Sequence, residues 1–305
     1  MNKYFLLSLA AAFTVTLTGC FSTYQINTPM PELITEAPPT AEKPHNPSPL
    51  WKEASPETSM LTYYIYDGET VTSKMLSDIS KEQEIISILE TSAGTLLENW
   101  SPDDITAPIY GIYICKKDGL PLQAAWTSDL LILNDGTAYK FDLDTSDWTE
   151  RYTFEPDLEH EFKDISALPC ADYLLRTENG WNFNIMTEAV LNIEVPEGVA
   201  LEAVSSENNT ITVKYINNNP ENKELVYGTS FAVHTENNGI WYTIPTTSDM
   251  HYGFAAIALM LPADSSSEET YSTDMYGILP DGHYRLYANG LTVEFDIADN
   301  KIILP

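Results

Sequence analysis

"YGILPDGHYRL", running from Tyr276 to Leu286, settles how the last third of the chain is read. Gly282 frees the backbone for a corner, and Tyr284 opens the next strand two residues on. A tyrosine in that place can aim its hydroxyl back at the preceding connection, the device called a tyrosine corner in β-sandwiches. An ordinary hairpin with a buried tyrosine is the alternative. Around this stretch "VALEAVS", "TITVKYIN", "SFAVHTE", "IWYTIP", "FAAIALML" and "HYRLYA" alternate or cluster apolar residues. Asn238-Gly239, Asp281-Gly282 and Asn289-Gly290 supply turns between them. Several short strands over about 100 residues predict a β-sandwich across residues 193–297.

Upstream, residues 61–188 read differently. "LTYYIYDGETV" is a strand running into an Asp67-Gly68 turn, and "SKEQEIISILETSAGTLLENW" is the one convincing helix. Ser80 can cap it, with Gln83 three residues later completing a capping box. Ile85, Ile86, Leu89, Leu96 and Leu97 form its apolar stripe, and Gly94 marks a weak point or an end. "ITAPIYGIYIC", "LQAAWTSDLLIL" and "TAYKFDLD" follow, split by turns at Lys117-Asp118-Gly119 and Asp135-Gly136. The pattern predicts an antiparallel sheet with a helix packed on one face, an α+β unit. The chain is therefore expected to be mainly β, an α+β domain followed by a sandwich.

The segments "YGTSFAVHTENNGIWYTIP" (Tyr227 to Pro245), "LMLPADSS" and "YGILPDGHYRL" occur in order. Together they resemble the bacterial Ig-like domains found in lipoproteins of the Firmicutes. The resemblance covers about the last third of the chain and implies an immunoglobulin-like sandwich, with Tyr227, Trp241, Gly282 and Tyr284 as its fold-defining residues. Trp241 beside Tyr242 is expected in the sandwich core. Family members would carry a glycine after the Leu-Pro step, where Ala263-Asp264-Ser265 stands here. The family implies a structural or binding module, so it assigns no functional residues.

The amino terminus, "MNKYFLLSLAAAFTVTLTGCFSTYQ", has one positive charge at Lys3 and an apolar run from Tyr4 to Leu17. That run is too short for a bilayer core of about 30 Å, so residues 1–19 are expected to be a signal peptide. Leu17-Thr18-Gly19-Cys20 resembles the lipobox of bacterial lipoproteins, which implies a diacylglyceryl thioether on Cys20 and cleavage before it. Several acyl chains, at roughly 0.8 kcal/mol per buried CH₂, anchor far better than one. From 20 to about 60, Pro29, Pro31, Pro38, Pro39, Pro44, Pro47 and Pro49 interrupt a Thr/Glu/Ala-rich run without apolar periodicity, so a disordered Pro-rich tether is expected.

The chain of 305 residues has 15 basic and 45 acidic side chains, a net charge of −30. Such a body repels phosphates, which argues against nucleic acid and against docking on anionic lipid heads. Cys115 and Cys170 could form a disulfide once exported, closing a loop of about 55 residues and stabilising by about 2–4 kcal/mol; two buried thiols are the alternative. No Cys/His spacing points to zinc, and no cofactor motif is present. His160 in "DLEHEFKD" has acidic neighbours, but adjacent residues point to different sides of a strand or helix. His45 lies in the tether, His234 and His283 lie in strand patterns, and His251 is the fifth histidine.

"FDLDTSDWTE" places Asp142, Asp144 and Asp147 together, yet it lacks the glycine and glutamate of an EF-hand. A solvated loop is the simpler reading, with weak calcium binding the other. No Gly-x-Ser-x-Gly elbow or Ser-x-x-Lys box surrounds a serine, and the carboxylates are too dispersed to pick an acid/base pair. Trp51, Trp100, Trp126, Trp148, Trp181 and Trp241 could include a sugar-stacking platform, though strand aromatics belong more often to cores. The expectation is a non-enzymatic binding or scaffolding lipoprotein on the outer face of the cell membrane, its partner an envelope protein or glycan. The alternative is an envelope hydrolase with its site in residues 61–188.

Overall fold

Strict two-residue alternation builds the first sheet. The computed structural model describes residues 58–116, 121–178, 180–191, 193–249 and 252–305. The signal segment, Cys20, the tether to residue 57 with His45 and Trp51, the Lys117-Asp118-Gly119 turn and His251 lie outside the described residues. Among the described residues no helix is long and apolar enough to cross a membrane.

The first region comprises β1 (Thr58–Tyr66), β2 (Val71–Leu76), α1 (Glu82–Ser92), β3 (Ala93–Leu97), β4 (Ile109–Lys116), β5 (Leu122–Trp126), β6 (Leu130–Leu133), β7 (Ala138–Phe141), α2 (Trp148–Arg151) and β8 (Phe154–Phe162). Its eight strands form one antiparallel sheet in the order β3-β7-β6-β5-β4-β1-β2-β8. Leu61, Tyr63, Ile112, Ile114, Trp126, Leu131 and Leu133 project from one face onto Ile85, Ile86 and Leu89 of α1 and onto Trp148 and Tyr152. The intervening residues, among them Tyr66, Val71, Ile109, Ala125, Leu130 and Ile132, project from the other face into a second core. Period-two side chains thus feed two separate interiors from one sheet.

The helix is shorter than its sequence pattern predicts. α1 stops at Ser92, and Leu96 and Leu97 belong to β3, so Gly94 lies just past the helix end. Ser80 does not cap it either. A short 3-10 turn, Ile79–Lys81, precedes α1, and the Asp78 carboxylate accepts from the Ser80 amide at 3.0 Å and the Ser80 hydroxyl at 2.6 Å. The anion satisfies both donors and caps the 3-10 turn, whereas α1 starts after Lys81 without a side-chain cap.

After β8 come α3 (Ala171–Leu175) and the short hairpin β9 (Arg176–Thr177) and β10 (Gly180–Trp181). The second region contains β11 (Val199–Glu207), β12 (Thr210–Asn217), β13 (Leu225–Tyr227), β14 (Ala232–Asn237), β15 (Ile240–Thr243), β16 (Leu259–Leu261), β17 (Ser265–Ser272), β18 (Gly282–Ala288), β19 (Leu291–Ala298) and β20 (Lys301–Ile303). They pair as β11-β12-β17, β13-β16 and β15-β14-β18-β19-β20. "FAAIALML" is mostly not a strand: only its end pairs, three residues of β16 with β13, and residues 254–258 are exposed coil. Apolar clustering without a partner strand does not make one. Conversely the polar "SSSEETYS" forms β17, which pairs with β12 over eight residues.

The corner forms as expected. The Tyr284 hydroxyl donates to the Pro280 carbonyl at 2.6 Å. Gly282 is not what the corner requires: its φ is not positive, and a Cβ there would make only ordinary contact with the Tyr284 ring, at 3.4 Å. Asp264 has φ of 55°, so an aspartate fills the left-handed place where the family would put glycine. Tyr227 is buried and stacked on Tyr215 at 4.5 Å.

Trp241 is a correction. Tyr242 packs against the core, whereas Trp241 lies on the opposite face of β15 beside Arg285 and His283. Neighbouring strand residues face opposite ways, so only one of the two aromatics can enter the core. Cys115 and Cys170 are a second correction: both are buried thiols and no disulfide joins them. Cys170 donates its thiol to the Ile132 carbonyl on β6 at 3.8 Å. Ile132 pairs with Ala125 and Ala125 with Gly111, so Cys115 is two strands across and four residues further along. Those spacings amount to about 10 Å laterally and about 13 Å along the strand, beyond disulfide reach.

The two regions share an interior. The second core runs without a break from the back of the first sheet through α3 and Trp181 to Tyr215, Val233, Tyr284, Leu286 and Phe295. The described residues accordingly belong to one compact unit.

Candidate ligand-binding cleft

Antiparallel pairing brings the start of β4, the β5–β6 turn and the end of β7 to one end of the first sheet. The connection from β3 to β4 forms the remaining wall. It is pinned from below: Ile105 is buried in the shared core, and the Asn182 side-chain amide donates to the Pro102 carbonyl at 3.2 Å. Ser101 caps its short 3-10 turn, Pro102–Asp104. The cleft so enclosed measures about 700 Å³ and is lined by Trp100, Tyr110, Leu143, Asp129, Asp142 and Asp144 together with Asn99, Ser101, Thr106, Thr127 and Ser128. Its volume is in the range of small-molecule sites.

The aromatic wall is fixed before any ligand arrives. Tyr110 stacks on Tyr63 at 6.1 Å, with planes 7° apart, and on Trp126 at 6.3 Å. Trp126 is held in turn by an Nε1 hydrogen bond of 3.0 Å to the Thr145 hydroxyl. The carboxylates are held as well. Asp144 accepts from the Ser146 amide at 2.9 Å, which lowers its pKa and keeps it ionised. Asp129 accepts from the Thr127 hydroxyl at 2.8 Å. Burial and then the Asp144 charge push the Tyr110 hydroxyl upward, so it stays protonated. Among the described residues no lysine, arginine or histidine lines the cleft.

Of the residues singled out in the sequence, Trp100, Asp142 and Asp144 meet here. Trp126, Trp148 and Trp181 are buried in cores instead. Asp147 precedes α2 and does not line the cleft. His160 lies on edge strand β8, paired with Ser73, and the strand turns Glu159 and Glu161 to the other side. No group of three metal-ligating side chains occurs among the described residues. Tyr110 was not visible as a site residue, because "PIYGIYIC" reads simply as strand; its role comes from the neighbours it acquires across the sheet.

The outer face of the five-stranded sheet carries a second polar constellation. The Arg285 guanidinium lies 4.5 Å from the Trp241 ring centre, and its Nε donates to Nδ1 of His234 at 3.0 Å. Burial, followed by the Arg285 charge, lowers the His234 pKa to about 4, so the imidazole is neutral at pH 7. His283 behaves oppositely: hydrogen bonding to Asp296 at 2.6 Å raises its pKa. A depressed histidine weakens the fold as pH falls. The unfolded chain takes up a proton near pH 6.5, while native His234 refuses one until about pH 4. The expected loss across that window is roughly 3 kcal/mol. Urea titrations between pH 7 and 4 check it, since His234→Gln should flatten that part of the profile. The contribution from His283 has the other sign, present below pH 6.5 and lost as pH rises through its folded value.

A junction joins the two regions. Ser248 donates its amide to Asp172 at 3.1 Å and its hydroxyl at 2.5 Å, with burial raising the Asp172 pKa. Arg176 donates to the carbonyls of Tyr276, at 2.8 Å, and Ile278, and lies 4.8 Å above the Trp181 ring. Trp181 Nε1 donates to the Tyr284 hydroxyl at 3.2 Å, directly beneath the tyrosine corner.

No curated protein and no solved structure matches the chain. Residues 196–298 match the family described as bacterial Ig-like domain, and the C-terminal part of this protein is an Ig-like domain.

Proposed function

We propose that the protein is a lipid-anchored extracytoplasmic binding module, tethered through Cys20, whose ligand sits in the cleft around Trp100 and Tyr110. The cleft carries the reading: fixed aromatic rings and hydrogen-bonded carboxylates converge in a concavity of ligand size. An Ig-like domain sharing a core with the cleft-bearing sheet suits a rigid presenting scaffold. Converging Asp129, Asp142 and Asp144 also suit the hydrolase reading. General acid catalysis would need a carboxyl whose pKa is raised, and Asp144, shifted down by its bond from Ser146, is not that acid.

Two measurements test this. Intact-mass analysis of membrane-extracted protein is expected to show a chain beginning at Cys20 with acyl chains attached, and Cys20→Ser is expected to release the protein from the membrane fraction. A native product that is soluble and unmodified would overturn the anchoring. Incubation with envelope glycan fragments is expected to yield no cleavage products. Product release abolished by Asp142→Asn would overturn the binding reading.

A further inference from the structure

We infer that Asn238 is a site of covalent self-modification: it deamidates through the amide nitrogen of Gly239, while the fold protects the same dipeptide at Asn289-Gly290. The two pairs form a natural comparison. Each makes a two-residue hairpin turn, from β14 to β15 and from β18 to β19, and each asparagine has φ of 54°. Sequence and backbone are therefore alike, and only the surroundings of the side chains differ.

Asn238 and Gly239 are both exposed, and a Cβ on Gly239 would meet nothing within 4 Å. The Asn238 side chain reaches only its own neighbour, with Nδ2 donating to Asn237 Oδ1 at 3.1 Å. The Gly239 N–H donates to the Glu236 carboxylate. The nitrogen that must attack thus already touches a base able to take its proton, and contact of that kind is what general-base catalysis requires. Asn289 is clamped instead. Its Oδ1 accepts from the Gly228 amide at 2.9 Å, and its Nδ2 donates to the Gly228 carbonyl at 3.0 Å and to the buried Tyr215 hydroxyl at 2.9 Å. A Cβ on Gly290 would come within 3.0 Å of Ile193, so that flank is closed. Turning Cγ of Asn289 toward the Gly290 nitrogen would break all three bonds, whereas Asn238 gives up one exposed contact.

In the reaction the Gly239 nitrogen passes its proton to Glu236 and bonds to Cγ of Asn238. The Cγ–Nδ2 bond breaks, and Nδ2 leaves with that proton as ammonia, closing a succinimide ring. Water then opens the ring. Attack at Cγ gives aspartate, and attack at the main-chain carbonyl gives isoaspartate. Amide and water become carboxylic acid and ammonia, and nothing is oxidised or reduced. Either product adds a negative charge beside Glu236, and isoaspartate also lengthens the turn by one main-chain carbon. Asn237 pairs with Ile240 across that turn, so the longer link is expected to loosen the hairpin end next to Trp241.

The test incubates the full-length protein at mildly alkaline pH and follows each site by tryptic mapping, since conversion raises the peptide mass by one unit. Residues 224–285 and 286–301 fall in separate tryptic peptides, and fragmentation of the first places the change at Asn238. A third pair, Asn179-Gly180, falls in another peptide and has its asparagine outside the described residues. Asn238 is expected to convert at least about tenfold faster than Asn289 in the folded protein. In urea the two are expected to convert alike, because unfolding releases the clamp on Asn289. Glu236→Gln should slow Asn238 about tenfold and leave Asn289 unchanged. Equal rates at the two sites in the folded protein would overturn the inference, and so would conversion of Asn238 only after urea is added. A wild-type rate in Glu236→Gln would overturn the role given to the carboxylate. The comparison between sites needs no variant, so it remains decisive if the urea midpoint shows that Glu236→Gln is unfolded.

Discussion

Trp181→Ala is expected to destabilise the whole described unit by about 3–5 kcal/mol, the range for deleting a buried indole. The ring is 7% exposed and belongs to the interior common to both regions. Its loss removes packing and also leaves the Arg176 guanidinium without the ring it covers at 4.8 Å. Arg176 holds the carbonyls of Tyr276 and Ile278, just ahead of the corner, so the connection leading into β18 loosens with it. The Tyr284 hydroxyl keeps its bond to Pro280 but loses the indole donor. Trp181→Phe separates the effects: it retains most of the packing and should lose only about 0.5–1.5 kcal/mol for the missing hydrogen bond. Urea unfolding gives the energies, and hydrogen exchange gives their reach. Faster exchange is expected in β18 and in β5 alike. If exchange in β18 stayed at its wild-type rate, the shared core would not couple the two regions.

Trp126→Ala is the second large effect, again about 3–5 kcal/mol, but from the opposite face of the first sheet. Trp126 is 1% exposed and packs against Tyr63, Phe141 and Trp148 at ring separations of 5.7–6.3 Å. Its removal takes away the indole donor to the Thr145 hydroxyl, leaving that group only its longer bond of 3.4 Å with the Tyr63 hydroxyl. It further takes away one of the two rings that hold Tyr110, so ligand binding in the cleft should weaken even under conditions where the variant remains folded. A midpoint shift worth less than about 1 kcal/mol would mean that the aromatic cluster is not packed. Trp126 and Trp181 lie in different cores, so the double variant should equal the sum of the two within about 0.5 kcal/mol.

Legibility in the sequence followed the range of the interactions involved. Turns at Asp67-Gly68, Asp135-Gly136, Asn238-Gly239 and Asn289-Gly290 were readable because the left-handed backbone they need is a property of two adjacent residues, and positive φ is found in each. The end of α1 near Gly94 was readable because glycine is a poor helix former, but the start was not: Asp78 caps a 3-10 turn ahead of the helix, and α1 itself has no side-chain cap. Trp241 was misplaced because a Trp-Tyr pair says that one ring is buried without saying which. β17 escaped notice because its outward serines and glutamates hide a strand defined by its partner, β12.

Strand rhythm, the α+β and sandwich classes, and the corner at Tyr284, whose bond to Pro280 spans four residues, can all be read from the chain before it folds. Those features arise from local backbone preference and alternation, which neighbouring residues carry in full. The remaining features exist only once the chain has folded. The cleft is assembled from three separate stretches, 97–110, 127–130 and 142–144, the Trp181–Tyr284 bond joins positions 103 apart, and the two cysteines are kept separate by sheet order. Which side chains meet over such distances depends on pairing order and on which face each residue turns to, and neither is written in any short stretch of chain.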